Sequence, residues 1–138
     1  MPGPLPALEG IRVVELAQNI AGPFASEILA TLGADVLKIE RPEGGDDARG
    51  WGPPFWGGTS TIFQPVNRNK RAITLDLRNT TGVALLKRFA EHADLLIENY
   101  APGVLKRMGL GPEELAKVNP RLSYISMGAF GSVGPRSE

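Results

Sequence analysis

Residues 11–40 read "IRVVELAQNIAGPFASEILATLGADVLKIE", and this stretch decides the fold. The run at 11–16 is short, apolar and rich in β-branched residues, as is typical of a strand. After it, apolar residues recur every four positions between Pro23, which suits the first turn of a helix, and Gly33, which suits the position just past its end. The run at 35–40 is a second strand. The stretch therefore predicts a strand–helix–strand unit with parallel strands.

The same alternation of apolar runs and helical periodicity continues through the rest of the chain. Strands are predicted at 72–77, 94–100 and 122–127, and helices at 80–92, 104–108 and 112–118. Strands that alternate with helices are typical of a parallel sheet with helices on its faces. The sequence thus predicts an α/β fold with a Rossmann-like, doubly wound and mainly parallel sheet.

One segment, at 41–66, interrupts this alternation. It is rich in glycine, proline, tryptophan and aspartate and is too long for an ordinary connection. Long excursions of this kind tend to carry function. A linker between domains is the competing interpretation. We disfavour it because the large aromatic residues of the segment would be costly to expose in a flexible linker.

Composition limits the classes of function. The chain has 138 residues, enough for one domain, and its 15 basic side chains balance 15 acidic ones, which argues against a general nucleic-acid binder. Cysteine is absent, so neither disulfides nor thiolate metal sites can form, and a cytoplasmic location is the default expectation. No segment resembles a signal peptide or a membrane span, so we expect no membrane partner.

Arginines follow three of the predicted strands. Arg41 and Arg78 each come directly after a strand, and Arg107 lies in the short helix after another. In open α/β sheets, ligands bind outside the carboxyl ends of the strands, so these side chains are expected at one edge. Guanidinium groups match phosphate oxygens in pairs and stay charged at physiological pH. The sequence therefore predicts a phosphate-rich, anionic ligand.

Two common nucleotide motifs are missing. The turn after the first strand has one glycine, Gly22, where the dinucleotide fingerprint G-x-G-x-x-G needs three. No phosphate loop of the form G-x-x-x-x-G-K-[ST] is present in the sequence. Dinucleotide cofactors and nucleotide hydrolysis are thus disfavoured.

Several linked segments resemble a known family. They are "LEGIRVVEL" (8–16), "AGPFASEILATLGADVLKIERPEGGDDAR" (21–49), "NRNKRAITLDL" (67–77), "ADLLIENYAPGVLKRMGLG" (93–111) and "NPRLSYISMGAFGSVGP" (119–135). In this order they resemble the amino-terminal part of the family III CoA-transferases, the group of carnitine CoA-transferases, formyl-CoA transferases and α-methylacyl-CoA racemases. The resemblance implies that residues 1–138 are the amino-terminal part of a large CoA-binding α/β domain, which is incomplete without its carboxyl-terminal part. Within it, 8–40 would be the strand–helix–strand unit, 41–66 an active-site excursion and 67–138 further α/β units.

The resemblance also implies a set of binding residues. CoA would be held by Asn19, Ile20, Ala21, Arg41, Leu75, Arg78, Asn99, Tyr100 and Arg107. The three arginines would take the phosphates, although each could instead be a surface cation or part of a structural ion pair, and Leu75 and Ile20 could simply pack. Lys70 and Arg71, in the basic run at 67–71, are expected to add positive potential that steers the anion to this site.

Two residues are expected beside the acyl group. By the same resemblance, Ile20 and Trp51 would border the thioester, and Ile20 is apolar where formyl-CoA transferases carry a glutamine. This difference argues against formate or oxalate and for a larger acyl group. The sequence G-D-D-x-R-x-W-G-P-P-F at 45–55 is similar to that of transferases which use succinyl-CoA and other dicarboxylates.

No catalytic residue is expected within this chain. Family transferases use an aspartate nucleophile, and none of the aspartates here matches its motif, so the nucleophile would follow Glu138. The implied function is transfer of CoA from an acyl-CoA to a carboxylic acid, without a metal and as an interlocked homodimer. Two alternatives stay open at this point: a racemase or epimerase of 2-methylacyl-CoA esters, and a non-catalytic CoA-ester binder.

Overall fold

Five parallel strands form the centre of the molecule. The computed structural model describes residues 6–131 and 134–136; the start of the predicted 1–138 unit, part of the "GSVGP" segment and the last two residues lie outside this described part. The strands of the large sheet are β1 (Arg12–Glu15), β2 (Asp35–Glu40), β5 (Arg71–Thr74), β6 (Leu95–Glu98) and β7 (Ser123–Ser126), in the order β5-β2-β1-β6-β7. The predicted α/β fold is therefore confirmed.

The helices fall between these strands. They are α1 (Ala21–Thr31), α2 (Thr80–Glu91), α3 (Val104–Arg107) and α4 (Pro112–Val118). At the start of α2 the Asn79 side chain accepts a hydrogen bond from the Gly82 backbone N–H at 2.8 Å, which satisfies one of the free donors of the first turn. None of the helices in the described ranges is long and apolar enough to cross a membrane.

Both faces of the sheet are covered, because successive strand residues point to opposite sides. Val14 belongs to a buried cluster that includes Leu86 of α2 and Leu115 of α4. Its neighbour Val13 belongs to a second cluster that includes Ala30 of α1. Burial on both faces explains why Val13 and Val14, adjacent residues of β1, are both apolar rather than alternating with a polar residue.

The strand order places a switch point at the centre of the sheet. The chain begins at β1, proceeds outward through β2 to β5, and then returns to the other side of β1 with β6 and β7. A crevice opens at the carboxyl ends of the strands where the order reverses, between β1 and β6. Residues directly after these two strands are therefore the first candidates for a site.

Two predicted strands end earlier than expected. The strand predicted at 72–77 ends at Thr74: the Leu75 backbone N–H still donates to the Glu40 carbonyl at 2.8 Å, and the Asp76 carboxylate then accepts the Arg78 backbone N–H at 3.0 Å in a local turn. The strand predicted at 94–100 stops at Glu98, whose carboxylate accepts the Tyr100 backbone N–H at 2.8 Å. In both places a carboxylate bonds to the backbone two residues ahead, just beyond the strand.

The long excursion contains two short antiparallel strands, β3 (Phe55–Trp56) and β4 (Thr59–Ser60). Its aromatic residues are less buried than the sequence argument assumed. Phe63 is buried under the Arg49 guanidinium, which lies 4.0 Å from the ring centre, whereas Trp51 and Trp56 are exposed. Attachment to the sheet comes mainly from buried polar residues rather than from the tryptophans.

Candidate functional site

A hollow of about 440 Å³ lies at the carboxyl edge of the sheet, and we call it the rim hollow. Its lining residues are Gln18, Ile39, Glu40, Arg41, Pro42, Glu43, Leu75, Asp76, Leu77, Arg78, Tyr100 and Met108. All of them except Met108, which follows α3, come from the ends of four strands, β1, β2, β5 and β6, or from the residues just after them. Four of the residues that the family resemblance implies for CoA binding, Arg41, Leu75, Arg78 and Tyr100, thus line one cavity.

A second hollow of about 560 Å³ adjoins the first, and we call it the side hollow. It is bounded by α2 and by Arg107 of α3, and it shares Leu77, Arg78 and Met108 with the rim hollow. Arg78 therefore stands between the two cavities, with Arg41 in one and Arg107 in the other. The three arginines lie along one edge of the molecule.

The three guanidinium groups differ in their partners. Arg41 is exposed, pairs with Asp47 and donates from Nε to the Glu43 carbonyl at 3.0 Å. Arg78 pairs with Asp76 at 2.9 Å, and this hydrogen bond holds the pKa of the Asp76 carboxyl below its usual value. Within the described ranges, no carboxylate forms a salt bridge with Arg107. The exposed ion pairs of Arg41 and Arg78 contribute little to stability, so an anion that binds the guanidinium group more tightly can replace the carboxylate.

The turn after β1 is tied to the end of β6. The Gln18 backbone N–H donates to Asn99 Oδ1 at 2.8 Å, and Asn99 Nδ2 donates to the Gln18 carbonyl at 2.8 Å. Both polar groups of the Asn99 amide are used in this way, so its side chain orients the turn across the switch point. Asn19 follows, with a left-handed backbone (φ 66°), and Ala21 begins α1.

A glycine lets α1 start close to the sheet. A Cβ atom at Gly22 would lie 2.1 Å from the Ala17 Cβ, a separation that no side chain permits. The first turn of α1 also lacks a side-chain cap, because Ile20 precedes it. Within the described residues, the backbone N–H groups of Ala21 and Gly22 consequently have no side-chain acceptor.

Ile20 and Trp51, the residues expected beside the acyl group, are both exposed. Neither lines the rim hollow or the side hollow. Ile20 precedes α1, and Trp51 follows a short 3₁₀ turn, Asp47–Gly50. The common acyl pocket that the resemblance implies for them stays a prediction.

The basic run at 67–71 does not face the site as a group. Lys70 is buried, with its Nζ 2.8 Å from Glu15, and Arg68 pairs with Glu27 at 2.8 Å. Arg71 pairs with Asp35 at the first residue of β2, which is the opposite edge of the sheet. The expectation that Lys70 and Arg71 steer an anion toward the site is wrong, because the charge of Lys70 is buried and balanced and that of Arg71 lies at the other edge.

Sequence reasoning missed a set of buried charges, Glu15, Lys38, Asp46 and Lys70, which we call the buried charge network. Glu15 accepts from Lys38 through Oε1 and from Lys70 through Oε2, each at 2.8 Å, and Lys38 also pairs with Asp46 at 2.9 Å. One signal was available: Glu15 and Lys38 are opposite charges at paired positions of neighbouring apolar strands.

Glu40, the last residue of β2, is hydrogen-bonded to the first part of the excursion. Its carboxylate accepts two hydrogen bonds from Arg49 at 2.7 Å and one from the Asp46 backbone N–H at 2.8 Å. Burial favours the neutral acid, but the hydrogen bonds from Arg49 and Asp46 outweigh it and lower the pKa of Glu40. A Cβ at Gly45 would lie 2.4 Å from this carboxylate, so the position requires glycine.

The site holds no set of side chains typical of a metal centre. Among residues 6–131 and 134–136, no group of three or more histidine, aspartate or glutamate side chains is arranged to hold a metal ion. What the rim offers instead is guanidinium groups, an uncapped helix start and the partly buried apolar surface of Leu75 and Tyr100.

Comparisons with known proteins identify relatives of this chain. The chain is 47% identical over 130 residues to "Succinyl-CoA:glutarate CoA-transferase" of Mus musculus, covering 94% of this chain and 30% of that protein. It is 45% identical over 144 residues to "Succinate--glutarate CoA-transferase" of Agrobacterium fabrum, covering all of this chain and 36% of that protein. The crystal structure of a CAIB/BAIF family protein from Brucella suis superposes with a TM-score of 0.90 at 46% identity, covering 94% of this chain and 35% of that one.

The chain thus spans about a third of the length of these relatives. A family model described as "CoA-transferase family III" matches residues 8–138, which is nearly the whole sequence. The matched range includes every residue of the rim hollow and the side hollow. On this match, the chain belongs to the CoA-transferase family III.

Proposed function

We propose that the complete protein transfers CoA from an acyl-CoA donor to a carboxylic acid, and that this chain supplies the CoA-binding edge. The observation that carries the proposal is the alignment of Arg41, Arg78 and Arg107, from three separate segments, along two adjoining hollows. CoA has phosphates at both ends of its nucleotide part, so a row of guanidinium groups suits it better than a single cluster would.

The other implied contacts have matching chemistry. Leu75 and Tyr100 offer apolar surface in the rim hollow, and the turn at 19–21 offers backbone groups at the uncapped start of α1. Asn99 contributes by holding that turn in place. The whole set, Asn19, Ile20, Ala21, Arg41, Leu75, Arg78, Asn99, Tyr100 and Arg107, is our proposed CoA site.

We infer an aspartate nucleophile that lies beyond Glu138. Its carboxylate would attack the thioester carbonyl to form a mixed anhydride and release CoA thiolate, which then attacks the aspartyl carbonyl and frees the first carboxylic acid. The acceptor carboxylate repeats the two steps in reverse and leaves with the CoA. The role of the present chain is to hold the nucleotide so that the thioester is presented in one position.

For the acyl group we propose a dicarboxylate such as succinyl. Support comes from the names of the mouse and Agrobacterium relatives, while the apolar Ile20 argues for an acyl group larger than that of formate or oxalate. Trp51 would border the same group. We also propose that the protein is cytoplasmic and an interlocked homodimer, as the resemblance implies; exposed Phe24 and Ile28, one turn apart on α1, are apolar surface that such a partner would cover.

The site is tested with the double variant Arg41→Ala/Arg107→Ala. We expect CoA affinity, measured by calorimetry, to fall by about a hundredfold, since each lost charge-assisted contact costs about tenfold. Arg71→Ala is the matched control, because Arg71 is also exposed and paired but lies at the opposite edge. Circular dichroism checks that the variants are folded. Unchanged affinity in the double variant would refute the phosphate assignment.

The reaction is tested separately in the complete protein. A transferase moves CoA only when an acceptor acid is present, and hydroxylamine traps its acyl-enzyme. Solvent deuterium that enters the α-carbon of a 2-methylacyl-CoA ester without an acceptor would indicate a racemase instead. CoA binding with neither reaction would indicate a non-catalytic binder.

A further inference from the structure

The carboxylate of Asp46 connects three parts of the chain. Its Oδ1 accepts the backbone N–H of Asn19 and the backbone N–H of Ala48, each at 2.9 Å. Its Oδ2 lies 2.9 Å from Lys38 Nζ. Asp46 and Lys38 are both buried. One side chain in the excursion therefore touches the turn after β1, the strand β2 and the 3₁₀ turn that leads to Trp51.

The turn at Asn19 needs such a hold. Asn19 has a φ of 66°, a left-handed conformation that asparagine adopts more readily than most non-glycine residues but that still favours a turn supported by its surroundings. Within the described part of the chain, its own side-chain Oδ1 is buried and accepts no hydrogen bond, so the side chain does not stabilise the turn. The preceding residue, Gln18, is held from one side by Asn99, and Asp46 holds Asn19 from the other.

Lys38 fixes Asp46 in turn. Lys38 Nζ donates to Glu15 Oε1 and to the Ala17 carbonyl, each at 2.8 Å, and it forms an ion pair with Asp46 Oδ2 at 2.9 Å. Among the described residues Asp46 Oδ2 accepts no hydrogen bond, so this ion pair is what offsets its buried charge, and Asp46 cannot rotate away without leaving that charge unpaired. The carboxylate that holds Asn19 is consequently itself held in one orientation.

We propose that Asp46 is a positioning residue for ligand binding, which keeps the turn at 19–21 in its binding conformation while lying behind it. Asp46 lines neither the rim hollow nor the side hollow, so it acts through the Asn19 backbone rather than by contact with the ligand. This role of Asp46 adds a positioning residue to the proposed CoA site, and it rests on the proposed function for the identity of the ligand. The hold on the turn itself is independent of that identity.

The test is Asp46→Ala, with Asn119→Ala as a matched control. Asn119, which follows α4, is likewise buried, and its side chain donates to the Ala90 and Ala93 carbonyls at 2.9 and 2.8 Å. These carbonyls lie at the carboxyl end of α2 and not at the turn after β1. Two quantities are measured: hydrogen exchange of the Asn19 amide by NMR, and CoA affinity by calorimetry at a temperature where both variants are folded.

We expect Asp46→Ala to speed exchange of the Asn19 amide and to weaken CoA binding by about tenfold, as loss of one buried charge-assisted hydrogen bond implies. Asn119→Ala should change both by less than about twofold, because its bonds are remote from the turn. Unchanged exchange at Asn19 in Asp46→Ala overturns the proposal. Faster exchange with unchanged CoA affinity also overturns it, because the turn would then be loosened without consequence for binding.

A second variant guards against loss of folding. Asp46→Asn keeps one oxygen, which can serve either the backbone donors or Lys38 but not both, and we expect exchange and affinity between those of wild type and Asp46→Ala. If it equals wild type in both, the proposal fails. If wild type itself does not bind CoA, the proposed function fails, and the exchange of the Asn19 amide alone decides whether Asp46 holds the turn.

Discussion

Replacement of Lys70 by methionine tests whether the basic run at 67–71 is a surface feature or part of the interior. The Lys70 side chain is 2% exposed, and its Nζ contacts Glu15 at 2.8 Å, the Pro23 carbonyl at 2.8 Å and Asn67 Oδ1 at 3.0 Å. Arg71, the next residue, is 69% exposed and paired with Asp35. Two adjacent cations of the same run therefore have opposite environments.

The expected cost differs accordingly. Removal of one partner of a buried ion pair typically costs about 3 to 5 kcal/mol. We expect Lys70→Met to fall at the lower end, about 3 kcal/mol, because Glu15 keeps Lys38 and a hydrogen bond from Ser26 at 2.6 Å. Arg71→Met should cost less than about 1 kcal/mol, because exposed pairs are screened by water.

Urea unfolding followed by circular dichroism at neutral pH measures both costs. The double variant Glu15→Gln/Lys70→Met should lose less than the sum of the two single variants, because the remaining partner is no longer an unpaired charge. Equal losses for Lys70→Met and Arg71→Met would refute the assignment of Lys70 to the interior. A loss of CoA affinity in Arg71→Met would restore the steering role that the structure argues against.

Two further predictions concern the pKa of Lys70 and the packing around Gly22. Burial lowers the pKa of Lys70 from 10.5 to about 8, so between these pH values the unfolded chain binds a proton that the folded protein does not. The free energy of unfolding, relative to that of Lys70→Met, should therefore rise with pH across this window and be constant below it. Urea titrations on both sides of the window measure the slope, and a free energy that falls with rising pH would contradict the burial of Lys70. Gly22→Ala should lower the free energy of unfolding by more than about 2 kcal/mol, because the new methyl group would overlap the Ala17 Cβ. Gly50→Ala is the control and should lower it by less than about 1 kcal/mol, because the space around Gly50 is open. Similar urea midpoints for the two variants would refute the close approach of α1 to β1.

Local patterns were sufficient to predict most of the fold. The apolar runs and helical spacing at 11–40 gave β1, α1 and β2 within a few residues, because both strands are buried on two faces and α1 has clear end signals. The ends of β5 and β6 were missed because they depend on side chains that bond to the backbone two residues ahead, as Asp76 and Glu98 do. Such bonds compete with the sheet but leave the hydrophobic pattern unchanged.

The site was predicted less completely, for a physical reason. Position after a strand was enough to predict that Arg41 and Arg78 meet at one edge, since parallel strands share a carboxyl edge, whereas Tyr100 was indicated only by the family resemblance. The partners of the buried charge network are distant in sequence: Lys70 meets Glu15, and Lys38 meets Asp46 across the start of the excursion. A charged residue in a loop is usually solvated, so only the packed structure reveals that these are not.

The excursion is pinned close to each of its ends. Arg49 is clamped to Glu40 at the start, and Lys70 is anchored inside the molecule just after the end. Between these two contacts, residues 50–66 form a loop whose ends stay in place when the sequence of its middle part changes. Insertions or deletions near β3 and β4 would be absorbed locally, because closing a longer loop between fixed points adds little entropy cost. In the function we propose, the CoA-binding edge would therefore keep its geometry while the sequence of residues 50–66 changes.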